Sequence, residues 1–235
     1  MKTLVIIPSR LSATRLPGKP LLKINNLSII SHVYKRAKEA DIGEVYVAAE
    51  DKEIIRDVEQ NGGQGILTSN NHKTGTDRIF EAIKKIGYSD LELVMNLQGD
   101  EPLMNIEDIK NLHNLMIKTK SKLGTLASNI LNESYYEKES IVKVSTNESL
   151  VYDQFPEAIN FMRKSKTNSK YTYHHLGIYC YQLKTLQNFV TLKQSKNEVK
   201  NNLEQLRALD NNIKINVALA KSSPIGVDTE EDYLE

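Results

Sequence analysis

Short apolar runs and amphipathic stretches alternate through the first half of the chain. "TLVIIP", near the start, is continuous and rich in branched residues, which predicts a buried strand. "SIISHVYKRAKEA" puts Ile29, Ile30, Val33, Tyr34 and Ala37 on one side of a helix. "EVYVAAE" predicts a strand. "DKEIIRDVEQNG" predicts a helix with acids in its first turn and Asn-Gly at its end. "GGQGILTS" then reads as a strand, "GTDRIFEAIKKIG" as a helix, "LELVMNLQGDEP" as a strand and "IEDIKNLHNLMIK" as a helix. This alternation predicts parallel β-α-β units and an α/β fold built on an open sheet covered on both faces. After about residue 120 the pattern changes. "KLGTLASNI", "SIVKVST", "SLVYDQF", "HHLGIYCYQ" and "KINVALA" predict strands with mixed or antiparallel pairing. "LKTLQNFVTL" and "NEVKNNLEQLRALDN" each predict one helix, and "RKSKTNSKYTY" an exposed loop. No internal repeat is visible.

A length of 235 residues fits one large domain or one domain with a small subdomain, and 40% hydrophobic residues suffice for a core. The formal net charge of +1 supplies no global field toward nucleic acid or membrane, so any anion site is local. The one cysteine, Cys180, excludes an intrachain disulfide framework and reads as core packing within "GIYCY". No apolar run approaches the roughly 18 residues of a membrane span. "LVII" is too short for a signal peptide and ends at Pro8 and Arg10. A soluble, cytoplasmic protein is expected, with no nucleic-acid or membrane partner. The basic run in "RKSKTNSKYTY" has no aromatic residue before Tyr171, so it reads as solvated loop.

Ligands of an open parallel sheet sit at the carboxyl ends of its strands. "PSRLSATRLPGKPLL" follows the first predicted strand and carries Arg10, Arg15 and Lys19. It fits neither the Walker A loop nor the dinucleotide glycine fingerprint. The arginines offer forked donors suited to phosphate, Lys19 a compact charge, and Pro17-Gly18 a turn that aims Lys19 back across the loop. In "HKTGTDRI", Gly75 permits close backbone approach and the Thr74 and Thr76 hydroxyls can donate. Thr76 is equally a helix cap, and Asp77 a first-turn acid. "NLQGDEP" puts Asp100 at the sheet's edge, where an ion could bridge it to a polyphosphate; Mg²⁺ suits one or two carboxylates with phosphate oxygens and water. Glu101 is expected to point away. In "GVDTEED", Asp228 is either a second carboxylate or the cap of a final helix, with Thr229 the competing cap. His174 and His175, adjacent on a strand, face opposite ways and cannot both ligate one ion. No G-x-S-x-G and no Cys/His pair supports acyl chemistry.

"IIPSRLSATRLPGKPL", "HKTGTDR", "NLQGDEP", "HHLGIYCY", "LEQLRAL" and "GVDTEED", in this order, resemble the 3-deoxy-manno-octulosonate cytidylyltransferases, the CMP-Kdo synthetases. The resemblance spans nearly the whole chain. It implies a nucleotide-diphospho-sugar transferase (Rossmann-like) fold, with a mixed, mostly parallel central sheet and a smaller mixed subdomain. It implies one cytidylyltransferase domain, with residues 1–120 as the nucleotide half and 121–235 as the sugar-binding and dimerisation half, in a homodimer. The implied reaction couples CTP to the acid sugar Kdo with Mg²⁺, releases pyrophosphate, and serves lipopolysaccharide or capsule. It assigns the nucleotide to Pro8, Arg10, Ser12, Arg15, Lys19, Thr74, Gly75, Arg78 and Gln98. Mg²⁺ goes to Asp100 and Asp228, and catalysis to these with Lys19, Arg10 and Arg15. Sugar contacts fall to Gln98, His175, Tyr179, Glu204 and Gln205, the last two of which otherwise read as polar surface on an amphipathic helix.

Two departures stand out. Ala13 stands where the family usually has serine, with Ser12 beside it. Where the family reads F-S-R-x-x-I-P, with an arginine for the acid sugar, this chain reads "YDQFPEAINFMR". Aligned so, Pro156 and Glu157 replace Ser-Arg, and Arg163 is the candidate substitute. An amino-substituted sugar pairing with Glu157 is then an alternative acceptor. A non-catalytic nucleotide-binding homologue and a dinucleotide oxidoreductase are the alternatives of other classes.

Overall fold

The computed structural model describes residues 1–12, 15–166 and 169–235; Ala13, where the serine departure falls, and Thr167 and Asn168 of the basic loop lie outside the described residues. The chain forms two compact units. One comprises Met1–Lys110 and Pro224–Glu235, the other Asn111–Ser223.

The first unit is built on β1 (Lys2–Ser9), followed by a small hairpin of β2 (Lys23–Ile24) and β3 (Leu27–Ser28). Then come α1 (Ile29–Glu39), β4 (Glu44–Ala49), α2 (Lys52–Gln60), β5 (Gly65–Leu67), α3 (Gly75–Ile86) and β6 (Leu91–Asn96). The four longer-range strands run parallel in the order β6-β1-β4-β5. β1 lies between β6 and β4 with α1 and α3 packed on it, so Leu4, Val5, Ile6 and Ile7 are all fully buried and read as one apolar run. α1 buries the face predicted from its spacing: Ile29, Ile30, Val33, Tyr34 and Ala37. Its cap, Ser28, accepts from the Ser31 N–H and also bonds Asp57 on α2, tying the two helices together. α4 (Ile106–Thr119) carries the chain onward.

The second unit holds β7 (Leu123–Ser128), β8 (Lys143–Thr146), β9 (Ala158–Met162), β10 (Thr172–Gln182), α5 (Leu183–Phe189), α6 (Lys196–Asn201), α7 (Leu206–Asp210) and β11 (Asn216–Leu219). β7 runs antiparallel to β10 and parallel to β11, and β8 runs antiparallel to both β10 and β9. The mixed pairing is as the sequence predicts. The chain then returns to the first unit with α8 (Glu230–Leu234).

Three element readings are corrected. "SLVYDQF" is not a strand: Leu150 is pinned by its N–H to the Tyr173 hydroxyl at 2.9 Å, and a turn follows, closed by Gln154 N–H to Val151 O. Of its apolar residues only Leu150 is buried, while Val151 is exposed, so the segment offers no face for a ladder. "AINFM" is a strand the pattern does not show, because β9 pairs on one side only, with β8, and buries just Ala158 and Phe161. "NEVKNNLEQLRALDN" is two helices, broken at Asn202, whose φ of 50° places it in the left-handed region. Asparagine tolerates that conformation better than other non-glycine residues do. In addition, the basic loop ends at Tyr171, since Thr172 and Tyr173 belong to β10.

Among the described residues, no helix is long and apolar enough to cross a membrane. Cys180 is fully buried in β10, and burial pushes its thiol well above the ordinary range, consistent with packing rather than reactivity.

Candidate active site

The carboxyl ends of β1 and β6 open into a cavity of about 370 Å³. Pro8, Arg10, Ser12, Arg15, Lys19, Thr74, Gly75, Arg78, Gln98, Asp100 and Asp228 all line it, so all the predicted nucleotide, catalytic and metal residues meet there. Ser9, Pro20, His72, Lys73 and Gly99 line it too, and the sequence reading did not single them out.

The loop after β1 is shaped by Gly18, whose φ of 68° lies in the left-handed region, where a side chain would be strained. The turn it makes starts a 3-10 helix at Lys19 and sends that side chain back across the loop. Lys19 Nζ lies 2.7 Å from Asp100 Oδ2 and 3.1 Å from Asp228 Oδ1. Arg15 Nη1 lies 3.2 Å from Asp228 Oδ2. Arg10 is exposed at the rim and forms no ion pair among the described residues. The start of the loop is held from outside by Asp51, which precedes α2. Its carboxylate makes no cap bond but accepts the Leu11 N–H at 2.8 Å.

The open readings at the helix starts resolve by geometry. Thr74, not Thr76, caps α3, accepting the Asp77 N–H at 3.2 Å, while Thr76 is buried. Asp77 is the first-turn acid and accepts the Thr74 hydroxyl. Thr229, not Asp228, caps α8, in a capping box with Asp232. Asp232 also accepts the Asp228 N–H at 3.0 Å, and Val227 N–H bonds Asp100 O at 2.9 Å. Asp228 is thus fixed by its backbone, with its carboxylate turned to Lys19.

Arg78 is engaged with the protein itself. Its guanidinium pairs with Glu50 and donates to Thr68 Oγ1 at 2.6 Å. It forms wall rather than a mobile cation. His72 is held likewise by Glu81, which also accepts the Ser69 N–H and pairs with Lys85. Burial raises the Glu81 pKa, but the Lys85, His72 and Ser69 hydrogen bonds outweigh it and bring it down to about 2.

The donor set fits Mg²⁺. Asp100 and Asp228 already converge on one cationic group, Lys19, and two carboxylates with phosphate oxygens and water make the coordination that ion prefers. No group of three or more His, Cys, Asp or Glu side chains suited to a metal occurs among the described residues. The remaining ligands would therefore come from substrate and solvent.

Of the predicted acceptor residues, Gln98 lines the cavity of the first unit, and His175, Tyr179, Glu204 and Gln205 lie in the second unit. His175 and Tyr179 are buried on β10 with ring centroids 5.4 Å apart, and Phe161 packs edge-on to His175 at 5.0 Å. β10 bulges against β7 between Leu176 and Tyr179, and Thr125 fills the bulge. Its hydroxyl donates to Ile178 O at 2.6 Å and accepts from His175 Nε2 at 3.0 Å. Burial pulls the His175 pKa down to about 3, so the ring is neutral. His174 turns the other way, to Ser223 Oγ. Burial, with Tyr181 and Glu204 nearby, pushes the Tyr179 phenol well up. Glu204 and Gln205 sit in the break between α6 and α7, not on a helix face, and Glu204 pairs with Arg207 at 3.6 Å.

Pro156 and Glu157, the pair aligned with the family's Ser-Arg, stand just before β9. The Glu157 carboxylate pairs with Lys214 at 2.6 Å on the surface. A second Phe-x-Arg spacing, Phe161-Met162-Arg163, lies at the end of β9, with Phe161 packed on the His175 ring. Arg163 donates to Asn201 O at 2.8 Å, Asn202 O at 2.9 Å and Glu139 O at 3.0 Å.

Residues 4–215 match the Cytidylyltransferase family. A 3-deoxy-manno-octulosonate cytidylyltransferase of Thermodesulfovibrio yellowstonii is 43% identical, over 99% of this chain and 95% of its own. One from Afipia carboxidovorans is 40% identical, over 98% and 93%. Among solved structures, a CMP:2-keto-3-deoxy-manno-octonic acid synthetase complexed with CTP superposes with a TM-score of 0.88 and 35% identity, covering 100% of this chain and 96% of that one. The fold extends to a UDP-glucose pyrophosphorylase at 14% identity and a TM-score of 0.72, covering 100% and 96%. The loop geometry, the Asp100–Lys19–Asp228 cluster and these likenesses agree: the chain belongs to the 3-deoxy-manno-octulosonate cytidylyltransferases.

Proposed function

We propose that this chain transfers CMP from CTP to the anomeric hydroxyl of 3-deoxy-manno-octulosonate, releasing pyrophosphate. The observation that carries this reading is the cavity in which Lys19, Arg15 and Arg10 stand beside Asp100 and Asp228. The acceptor oxygen bonds to the α-phosphorus, the bond from that phosphorus to the bridging oxygen breaks, and the hydroxyl proton leaves to water. Such transfers depend on positioning and charge neutralisation. Arg10, Arg15 and Lys19 bind the triphosphate and offset charge as pyrophosphate departs. Gly75 carries no side chain, so the nucleotide approaches the start of α3 closely. Arg78, fixed by Glu50, holds that wall in place. Asp100 and Asp228 would hold Mg²⁺, which supplies charge neutralisation at the phosphates and activates the attacking hydroxyl. On the acceptor side, neutral His175 and Tyr179 present hydrogen-bonding groups to sugar hydroxyls. Arg163 has five N–H groups in all, so two remain beyond its three carbonyl bonds for the sugar carboxylate.

Pyrophosphate release from CTP and Mg²⁺ tests the reading, with Kdo and a panel of related acid sugars as acceptors. Release with Kdo, abolished by a chelator and restored by Mg²⁺, is expected. Release only with another sugar would overturn the acceptor, and no release with any would overturn the activity.

A further inference from the structure

Lys143 is fully buried, and among the described residues all three of its hydrogen bonds go to backbone carbonyls rather than to a carboxylate. They are Lys138 O at 2.9 Å, Ile141 O at 2.8 Å and Arg163 O. A buried ammonium without a carboxylate bonded to it is costly, and general packing does not explain its retention. Its partners do. The turn at 138–141, closed by Ile141 N–H to Lys138 O at 3.1 Å, also supplies Glu139 O to the Arg163 guanidinium. Lys143 therefore grips the turn at both ends and the Arg163 backbone as well, while Arg163 grips the middle of that turn. In register, Lys143 faces Met162 on β9, the residue before Arg163, and His174 on β10, the residue before His175.

We infer that Lys143 is a positioning residue for the acid-sugar acceptor: it locks the 138–141 turn and the end of β9 so that Arg163 presents its remaining N–H groups to the sugar carboxylate. This rests on the acceptor reading above. The buried ammonium is saturated by its three carbonyls and does not touch the sugar. It acts through the backbone it holds and through the positive charge it adds beneath Arg163.

Lys143→Met keeps the stem and removes the ammonium. The expected result is a KM for Kdo raised roughly tenfold, as for loss of a charged hydrogen-bond network. KM for CTP and kcat should stay within about twofold, since the nucleotide residues lie in the other unit. A double-mutant cycle with Arg163→Ala separates positioning from stability. If Lys143 acts through Arg163, adding Lys143→Met to Arg163→Ala raises KM for Kdo no further; independent, multiplying effects would overturn the inference. An unchanged KM for Kdo in Lys143→Met, or a parallel rise for CTP, would also overturn it. Circular dichroism checks the fold, and Lys143→Gln replaces Lys143→Met in the same cycle if the latter does not fold. Wild-type protein that fails to turn over Kdo would instead sink the acceptor reading, and this inference with it.

Discussion

Asp100 and Asp228 share one ammonium, yet their roles differ from those of ordinary ion-pair partners. A surface pair contributes little to stability, and both carboxylates remain partly open to solvent. Replacing Asp100 by Asn keeps the shape and an acceptor for Lys19 but removes the charge that a cation needs. Turnover should fall about 10²–10³-fold, while the thermal midpoint stays within a few degrees. Near-normal turnover in Asp100→Asn would remove the carboxylate from the mechanism. At this scale the sequence was legible where chemistry is local. The cations after β1, Asp100 after β6 and Gly75 before α3 were all found from strand ends and turn residues. Residues that act by holding others were not legible. Asp51 read only as one of the acids at the start of a helix and in fact accepts the Leu11 N–H, and Thr125 was not singled out at all.

At the scale of elements, strands with two neighbours announce themselves and edge strands do not. β1 carries one continuous apolar run, Leu4 to Ile7, and β6 a shorter one, Leu93 to Met95, because both faces are covered there. β9 buries two residues out of period and escaped notice, and with it the second Phe-x-Arg spacing. The predicted long helix failed for a related reason: its polar pattern continues through Asn202, but the backbone turns there and brings Arg207 of the second helix onto Glu198 of the first. That turn is testable. Asn202→Val should lower stability by roughly 1–2 kcal/mol, because a branched side chain is strained at this positive φ, whereas Asn202→Gly should be tolerated. Urea melts of the two variants give the comparison. Equal losses for both would mean that the asparagine side chain, not the backbone conformation, matters.

At the scale of the whole molecule, acid should destabilise the protein through groups that are not charged partners of the phosphate site. His175 is neutral in the fold with a pKa near 3, while the unfolded chain takes up that proton near the ordinary 6.5. Its contribution is therefore complete above about pH 6.5 and is lost as pH falls toward 3, at up to about 1.4 kcal/mol per pH unit. Glu81, brought down to about 2, adds to the loss below its ordinary value of 4.5. The urea midpoint should fall between pH 7 and pH 4, and His175→Phe should flatten that fall. An unflattened profile would show that His175 is not the group responsible.

The chain leaves the first unit after Lys110 and returns to it only at Pro224. Asp228 arrives on that returning segment, docked by its neighbour Val227 onto the Asp100 carbonyl. A ribosome therefore makes every predicted phosphate-binding residue before it makes the second carboxylate. All of the unit that runs from Asn111 to Ser223 is made in between. On the proposed mechanism, the nascent chain holds the loop after β1 from early on but lacks the second of the two proposed metal carboxylates until that segment has been translated and folded back, so chemistry would wait on the last step of assembly.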